Sequence, residues 1–232
     1  MRKHNVRNSG SKIILWLLCL TLIAGFSFAD EPDNGRLDSR IREARLVLEE
    51  MKAMPDTAIP KDLLEKCYGI AIFPSVIKGA FILGGQYGEG VLLRRDADKW
   101  SAPVFLSIGG ASLGFQLGGQ ITDLVLVITN ERGVDSLMHE NVTLGGDVSI
   151  AAGPVGRDAE MATDVLMKTG IFSYSRNKGL FAGVSLKGAI VSPMKNLDDD
   201  YYGGLLSIED ILSGRAKLSP EASKLVNSLK EY

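Results

Sequence analysis

Glycine placement constrains this chain more than any other feature. Twenty-two of its 26 glycines fall between Gly69 and Gly204, beside short apolar runs of strand type. Examples are the stretches 80–90, 113–120 and 142–147. A glycine within a strand removes a side chain and allows a bulge, a sharp bend or close approach of another backbone. A sheet with glycines at this density must be strongly curved or closely packed. The expected architecture is α+β: a strongly curved, glycine-rich, mainly antiparallel sheet, barrel-like or a sandwich. An N-terminal amphipathic helix and C-terminal helices complete it.

The N-terminus reads differently. Arg2, Lys3, Arg7 and Lys12 precede a twelve-residue apolar stretch, 13–24. That is short for a bilayer span but suits the hydrophobic region of a signal peptide. Ser27-Phe28-Ala29 supplies a cleavage site, so residues 1–29 are expected to be removed and 30–232 to form one domain. The protein is then expected to be exported, to a periplasm or a cell envelope. Cys19 follows Leu18 rather than a small residue, which argues against a lipid-modified N-terminus. Its loss leaves Cys67 alone, without an intramolecular disulfide. Loss of four basic residues leaves 22 basic against 28 acidic, a net charge of −6. An acidic chain is not expected to bind nucleic acid, and contact with an anionic surface would need a local basic patch.

Residues 36–54 have helical periodicity. Leu37, Ile41, Ala44, Leu48 and Met51 recur at spacings of four and three. This face either docks on the core or, with its flanking arginines, meets a membrane. A second helix is expected from Pro60 to near Gly69. Strands are expected at 70–73 (ending at Pro74), 80–87, 89–95, 102–109, 112–120 and 122–129. The alternating runs 142–150 and 180–190 predict half-buried strands. Asn177-Lys178-Gly179 predicts a tight hairpin after 171–175. Short helices are expected at 133–139 and 158–168, and the tail from Ile208 reads as helical.

Catalytic patterns are weak. Gly110-Ala111-Ser112-Leu113-Gly114 matches G-x-S-x-G, but a nucleophile elbow needs a strand-to-helix turn and a histidine base. Ser112 lies between strand-like stretches, and His139 is the one histidine beyond residue 29. A serine hydrolase at Ser112 is thus a minor alternative. Ser75-Val76-Ile77-Lys78 and Lys168-Thr169-Gly170 mimic penicillin-interacting motifs in the wrong order. No zinc set, dinucleotide fingerprint or Walker pattern occurs, and no cofactor is expected. Asp198-Asp199-Asp200 reads as a solvated acidic loop, lacking EF-hand spacing.

The remaining signal is basic residues on turns near aromatic ones: Lys78, Arg94, Arg95, Arg157, Arg176 and Lys178. Cations placed this way suit an anionic head group with shallow apolar contact.

The stretches Gly69-Ile70-Ala71-Ile72-Phe73-Pro74, Gly84-Gly85-Gln86-Tyr87-Gly88, Trp100-Ser101-Ala102-Pro103, Thr122-Asp123-Leu124-Val125-Leu126, Ala151-Ala152-Gly153-Pro154-Val155-Gly156-Arg157 and Tyr174-Ser175-Arg176-Asn177-Lys178-Gly179-Leu180-Phe181-Ala182-Gly183 together resemble the SYLF family, over roughly 36–213. The resemblance implies a non-enzymatic phospholipid-binding domain, often for phosphoinositides in eukaryotic members, with actin binding in the yeast ones. For an exported chain it implies an anionic phospholipid surface as partner. Lys78, Arg94, Arg95, Arg157, Arg176 and Lys178 would contact lipid, and Leu37, Ile41, Leu48 and Met51 would form a membrane-facing helix face. The alternative is a scaffolding module that bridges envelope proteins.

Overall fold

The computed structural model describes residues 34–53, 59–80, 84–112, 118–154, 169–177 and 180–231. Helix α1 is Asn34–Lys52 and α2 is Lys61–Lys66. Strands β1 (Gly69–Ala80), β2 (Gly84–Asp96), β3 (Lys99–Trp100), β4 (Val104–Ser112) and β5 (Gly118–Ile128) follow. Then come α3 (Glu131–Leu137), β6 (Val142–Thr143), β7 (Ile150–Ala152), β8 (Ile171–Asn177), β9 (Leu180–Gly183) and β10 (Ile190–Pro193). Helices α4 (Lys195–Tyr202), α5 (Ile208–Leu212) and α6 (Pro220–Lys230) close the chain.

The sheet runs β6-β10-β4-β2-β1-β5-β8-β7, with β3 added to β2 and β9 to β8. Every pairing between these strands is antiparallel except β7 with β8. The result is the expected α+β fold, its sheet curled into a half-barrel.

The central strands bury both faces. Ile70, Ile72, Val91, Leu93, Val125 and Val127 face the layer formed by α1, α2, α4 and α6. Ala71, Phe73, Leu92, Leu124 and Leu126 point to the opposite face, closed by α3 and α5. Gly90 makes the curl possible, because a Cβ there would lie 2.1 Å from the Ile72 carbonyl oxygen. Gly153 does the same for the Tyr174 ring, 2.0 Å from its virtual Cβ.

Helix α1 buries Leu37, Ile41, Ala44, Val47, Leu48 and Met51, all at most 3% exposed. At about 1.5–3 kcal/mol per buried side chain, gross transfer favours docking by roughly 10 kcal/mol. The face expected to meet a membrane is thus turned onto the sheet and onto α6. Asn130 caps α3 by accepting from Gly133 N–H at 2.8 Å. Ser219 caps α6 ahead of Pro220, and Ser207 with Asp210 forms a capping box on α5.

Several boundaries differ from expectation. Pro74 does not end β1. The strand passes through it with a bulge, Ser75 taking a left-handed φ of 54°, which removes the need for a ladder donor at the proline. Stretches 80–87 and 89–95 are not two strands; 84–96 is one. The alternation at 142–150 is broken after Thr143, where Gly145 has φ 82° and Thr143 N–H donates to Asp147. The run 180–190 turns at Gly188, φ 85°. The acidic triplet is not a loop but lies in α4, where Asp198 is 2% exposed. The expected helix at 158–168 and the turn residues Lys178 and Gly179 lie outside the described residues. Ser112 continues β4 opposite Gly84 rather than sitting at a strand-to-helix elbow.

Cys67 is buried after α2, its thiol donating to the Leu64 carbonyl at 3.2 Å, and burial pushes its pKa up to about 11.

Candidate functional site

The β1 bulge reverses the use of the strand beyond it. After Ser75, no helix among the described residues lies above the side chains on the helix-side face. Ile77 pairs in register with Tyr87 on β2 and with Ile121 on β5. The three are 59%, 52% and 66% exposed. With strands about 4.8 Å apart, they form an apolar row roughly 10 Å wide. Two residues further out, Gly85, Gly79 and Gly119 stand in register, and a Cβ on any of them would meet nothing within 4 Å. The opposite face of the same strand ends carries Lys78 between Gln86 and Gln120. The strand ends are therefore amphipathic, apolar and flat on one side and polar on the other.

Ion pairs mark where cover by α1 stops. Arg40 of α1 pairs with Glu89, which also accepts from the Tyr87 hydroxyl at 2.7 Å. At the other end of α1, Glu50 pairs with Arg176, whose Nε also donates to Asp123 at 2.6 Å. Asp123 accepts from Ser75 N–H at 2.9 Å, so the same carboxylate holds the bulge. Burial raises the Asp123 pKa, and the Ser75 N–H opposes that shift. Desolvation lowers the pKa of Arg40, Arg176 and Lys78.

The basic residues expected to contact lipid are therefore not equivalent. Arg94 pairs with Glu131 at 2.5 Å, on the start of α3. Arg95 donates to the carbonyls of Leu64, Glu65 and Ala97, closing the C-terminal end of α2. Arg176 is held by Asp123 and Glu50. Lys78 makes no ion pair among the described residues and is half-buried. Arg157 and Lys178 lie outside the described residues. The structure does not gather Lys78, Arg94, Arg95 and Arg176 into one patch: Lys78 lies at one end of the strands, Arg94 and Arg95 at the other. Leu37, Ile41, Leu48 and Met51 are covered.

Sequence reasoning missed Ile77, Tyr87 and Ile121. Their signal was present in the facing glycines, but the parity change at Pro74-Ser75 hid which face they occupy. Among the described residues no cluster of three potential metal ligands occurs, and no helix among them is long and apolar enough to cross a membrane.

Residues 109–232 match the family model for Ysc84, described as the Las17-binding protein actin regulator. The chain belongs to the Ysc84 (SYLF) family. It is 39% identical over 181 residues to Protein YSC84 of Saccharomyces cerevisiae, covering 75% of this chain and 38% of that protein. It is 33% identical over 210 residues to the SH3 domain-containing YSC84-like protein 1 of Bos taurus, covering 88% and 61%. LAS seventeen-binding protein 3 of S. cerevisiae is 36% identical over 179 residues, covering 75% and 39%. The chain thus spans between about two fifths and three fifths of these relatives' length. Among these descriptions, the name LAS seventeen-binding protein 3 states a binding role and the family model's description an actin regulator.

Proposed function

We propose that this protein is a non-enzymatic, peripheral phospholipid-binding protein, exported to the cell envelope, that engages anionic membrane surfaces with the bare strand ends of its half-barrel. The observation that carries this reading is the in-register row Tyr87–Ile77–Ile121, exposed on one face while Lys78, without an ion pair among the described residues, stands on the other. An apolar face can enter the interfacial layer, and a cation on the reverse of the same strand ends adds about 1 kcal/mol when they approach an anionic surface. The row's three side chains are far fewer than the roughly 20–30 residues a side of a standard protein–protein interface. A membrane sets no such minimum, because each side chain partitions separately. Lys78, Arg157 and Lys178 are the proposed head-group contacts. The engaged Arg94, Arg95 and Arg176 support the scaffold that presents them.

Co-sedimentation with vesicles of graded anionic content, at low and high salt, tests this. Ile77→Asp with Ile121→Asp should abolish binding at every composition. Lys78→Glu should weaken binding to anionic vesicles alone. Absence of wild-type binding at every composition would reject the lipid reading and favour a module that bridges proteins.

A further inference from the structure

A second site lies at the other end of β2, roughly 25 Å from Tyr87 by strand rise. There the β2–β3 hairpin, the end of α2 and the end of α6 enclose a cleft of about 260 Å³ lined by Leu64, Arg95, Asp98, Trp100, Leu229 and Lys230. Its walls are of two kinds. Trp100, Leu64 and Leu229 supply apolar surface, with the Arg95 guanidinium 5.8 Å from the indole centroid. The rest is charged. Arg95 commits Nη1 and Nε to backbone carbonyls, leaving Nη2 with Asp98 at 3.8 Å, beyond hydrogen-bond reach. Lys230 is exposed and has no ion pair among the described residues.

Two cations and one carboxylate leave the cleft with a single net positive charge. That balance matches a monoanion; a phosphate dianion would gain little and would face Asp98 directly. The volume lies just below the range of about 300–1,000 Å³ usual for small-molecule pockets, so it admits a body of about one ring. A flat body can lie along the indole, and its anionic end can reach Arg95 Nη2 and Lys230 together. Such charge-assisted bonds are the strong ones.

We infer that this cleft is a binding site for a small monocarboxylate with a flat apolar body, of the aryl-alkanoate type. The site is independent of the strand ends and of the membrane reading.

Trp100 makes the test direct. Trp16 and Trp100 are the two tryptophans, so the full chain carrying Trp16→Phe reports from the cleft alone. Titration with 3-phenylpropionate should change Trp100 fluorescence saturably, and the neutral 3-phenylpropanamide should act at least roughly tenfold more weakly, because it lacks the charge. Lys230→Glu should weaken the carboxylate by a similar factor without altering the melting temperature, since Lys230 is exposed, while Lys230→Arg should retain binding. No saturable change below about 10 mM, a range already weaker than a 1 mM Kd, overturns the inference. So does equal binding of acid and amide, or binding indifferent to Lys230→Glu.

Discussion

The same three strands, β2, β1 and β5, are treated in opposite ways at their two ends. Under α1, residues such as Ile70, Ile72, Val91, Leu93, Val125 and Val127 are wholly buried. Beyond the bulge at Ser75, Ile77, Tyr87 and Ile121 are left bare, and the next row has no side chains at all. Composition does not separate the two ends, since both are apolar and glycine-containing. The difference is the helix: one end is a core because six apolar residues of α1 cover it. The ion pairs Arg40–Glu89 and Glu50–Arg176 stand where that cover stops.

Substitutions should reproduce the contrast. The largest effect is expected at Gly90, where a side chain must displace the Ile72 carbonyl and Phe73. Gly90→Val should cost more than about 4 kcal/mol, in the exceptional range for single changes, and thermal melting should find little or no folded protein. At the covered end, Leu48→Ala should cost about 2–5 kcal/mol. The matching change at the bare end, Ile121→Ala, should stay within about 0.5 kcal/mol. Equal losses at Leu48 and Ile121 in denaturant titrations would break the comparison.

A pH experiment sharpens it further. Asp198 lies under the covered end, accepts one hydrogen bond from Phe105 N–H at 2.9 Å, and has its second oxygen buried without a partner. Burial pushes its carboxyl pKa up to about 7, from an ordinary 3.8. A folded-state value above the unfolded one means the unfolded chain gives up its proton first. This group therefore lowers stability as pH rises from about 4 to about 7, and the loss then levels off. A rise from 3.8 to about 7 sets a ceiling of ~4 kcal/mol. Asp198→Asn should recover roughly 2 kcal/mol of stability at pH 8 and little at pH 4, read as a flattened plot of melting temperature against pH. A recovery independent of pH would count against the burial argument. The smallest effect belongs to the glycine row: Gly79→Ala meets open space and should change stability by no more than about 0.5 kcal/mol.

How much of this was legible in the sequence varied with how local the cause was. Helix α1 was readable from Leu37 to Met51 because its periodicity reflects one continuous buried face. The curl was readable because glycine at Gly90 or Gly153 marks where backbones or rings crowd. Which face of a strand was bare could not be read past Pro74, since one bulged residue inverts the alternation. The acidic triplet in α4 misled for a related reason. Asp198 is buried by tertiary contact with β4, whereas Asp199 and Asp200, its neighbours, are not buried. The basic residues were readable as cations but not as partners, because Glu131, Asp123 and Glu50 reach Arg94 and Arg176 only after folding.

Cys67 gives the chain a clock. Its thiol is buried and its pKa is raised to about 11, so at neutral pH little of it is thiolate, and a reagent reaches it only when the region around α2 opens. The rate at which it is alkylated under native conditions is then set by how often the Leu64 carbonyl releases it, a local opening that melting of the whole domain does not resolve.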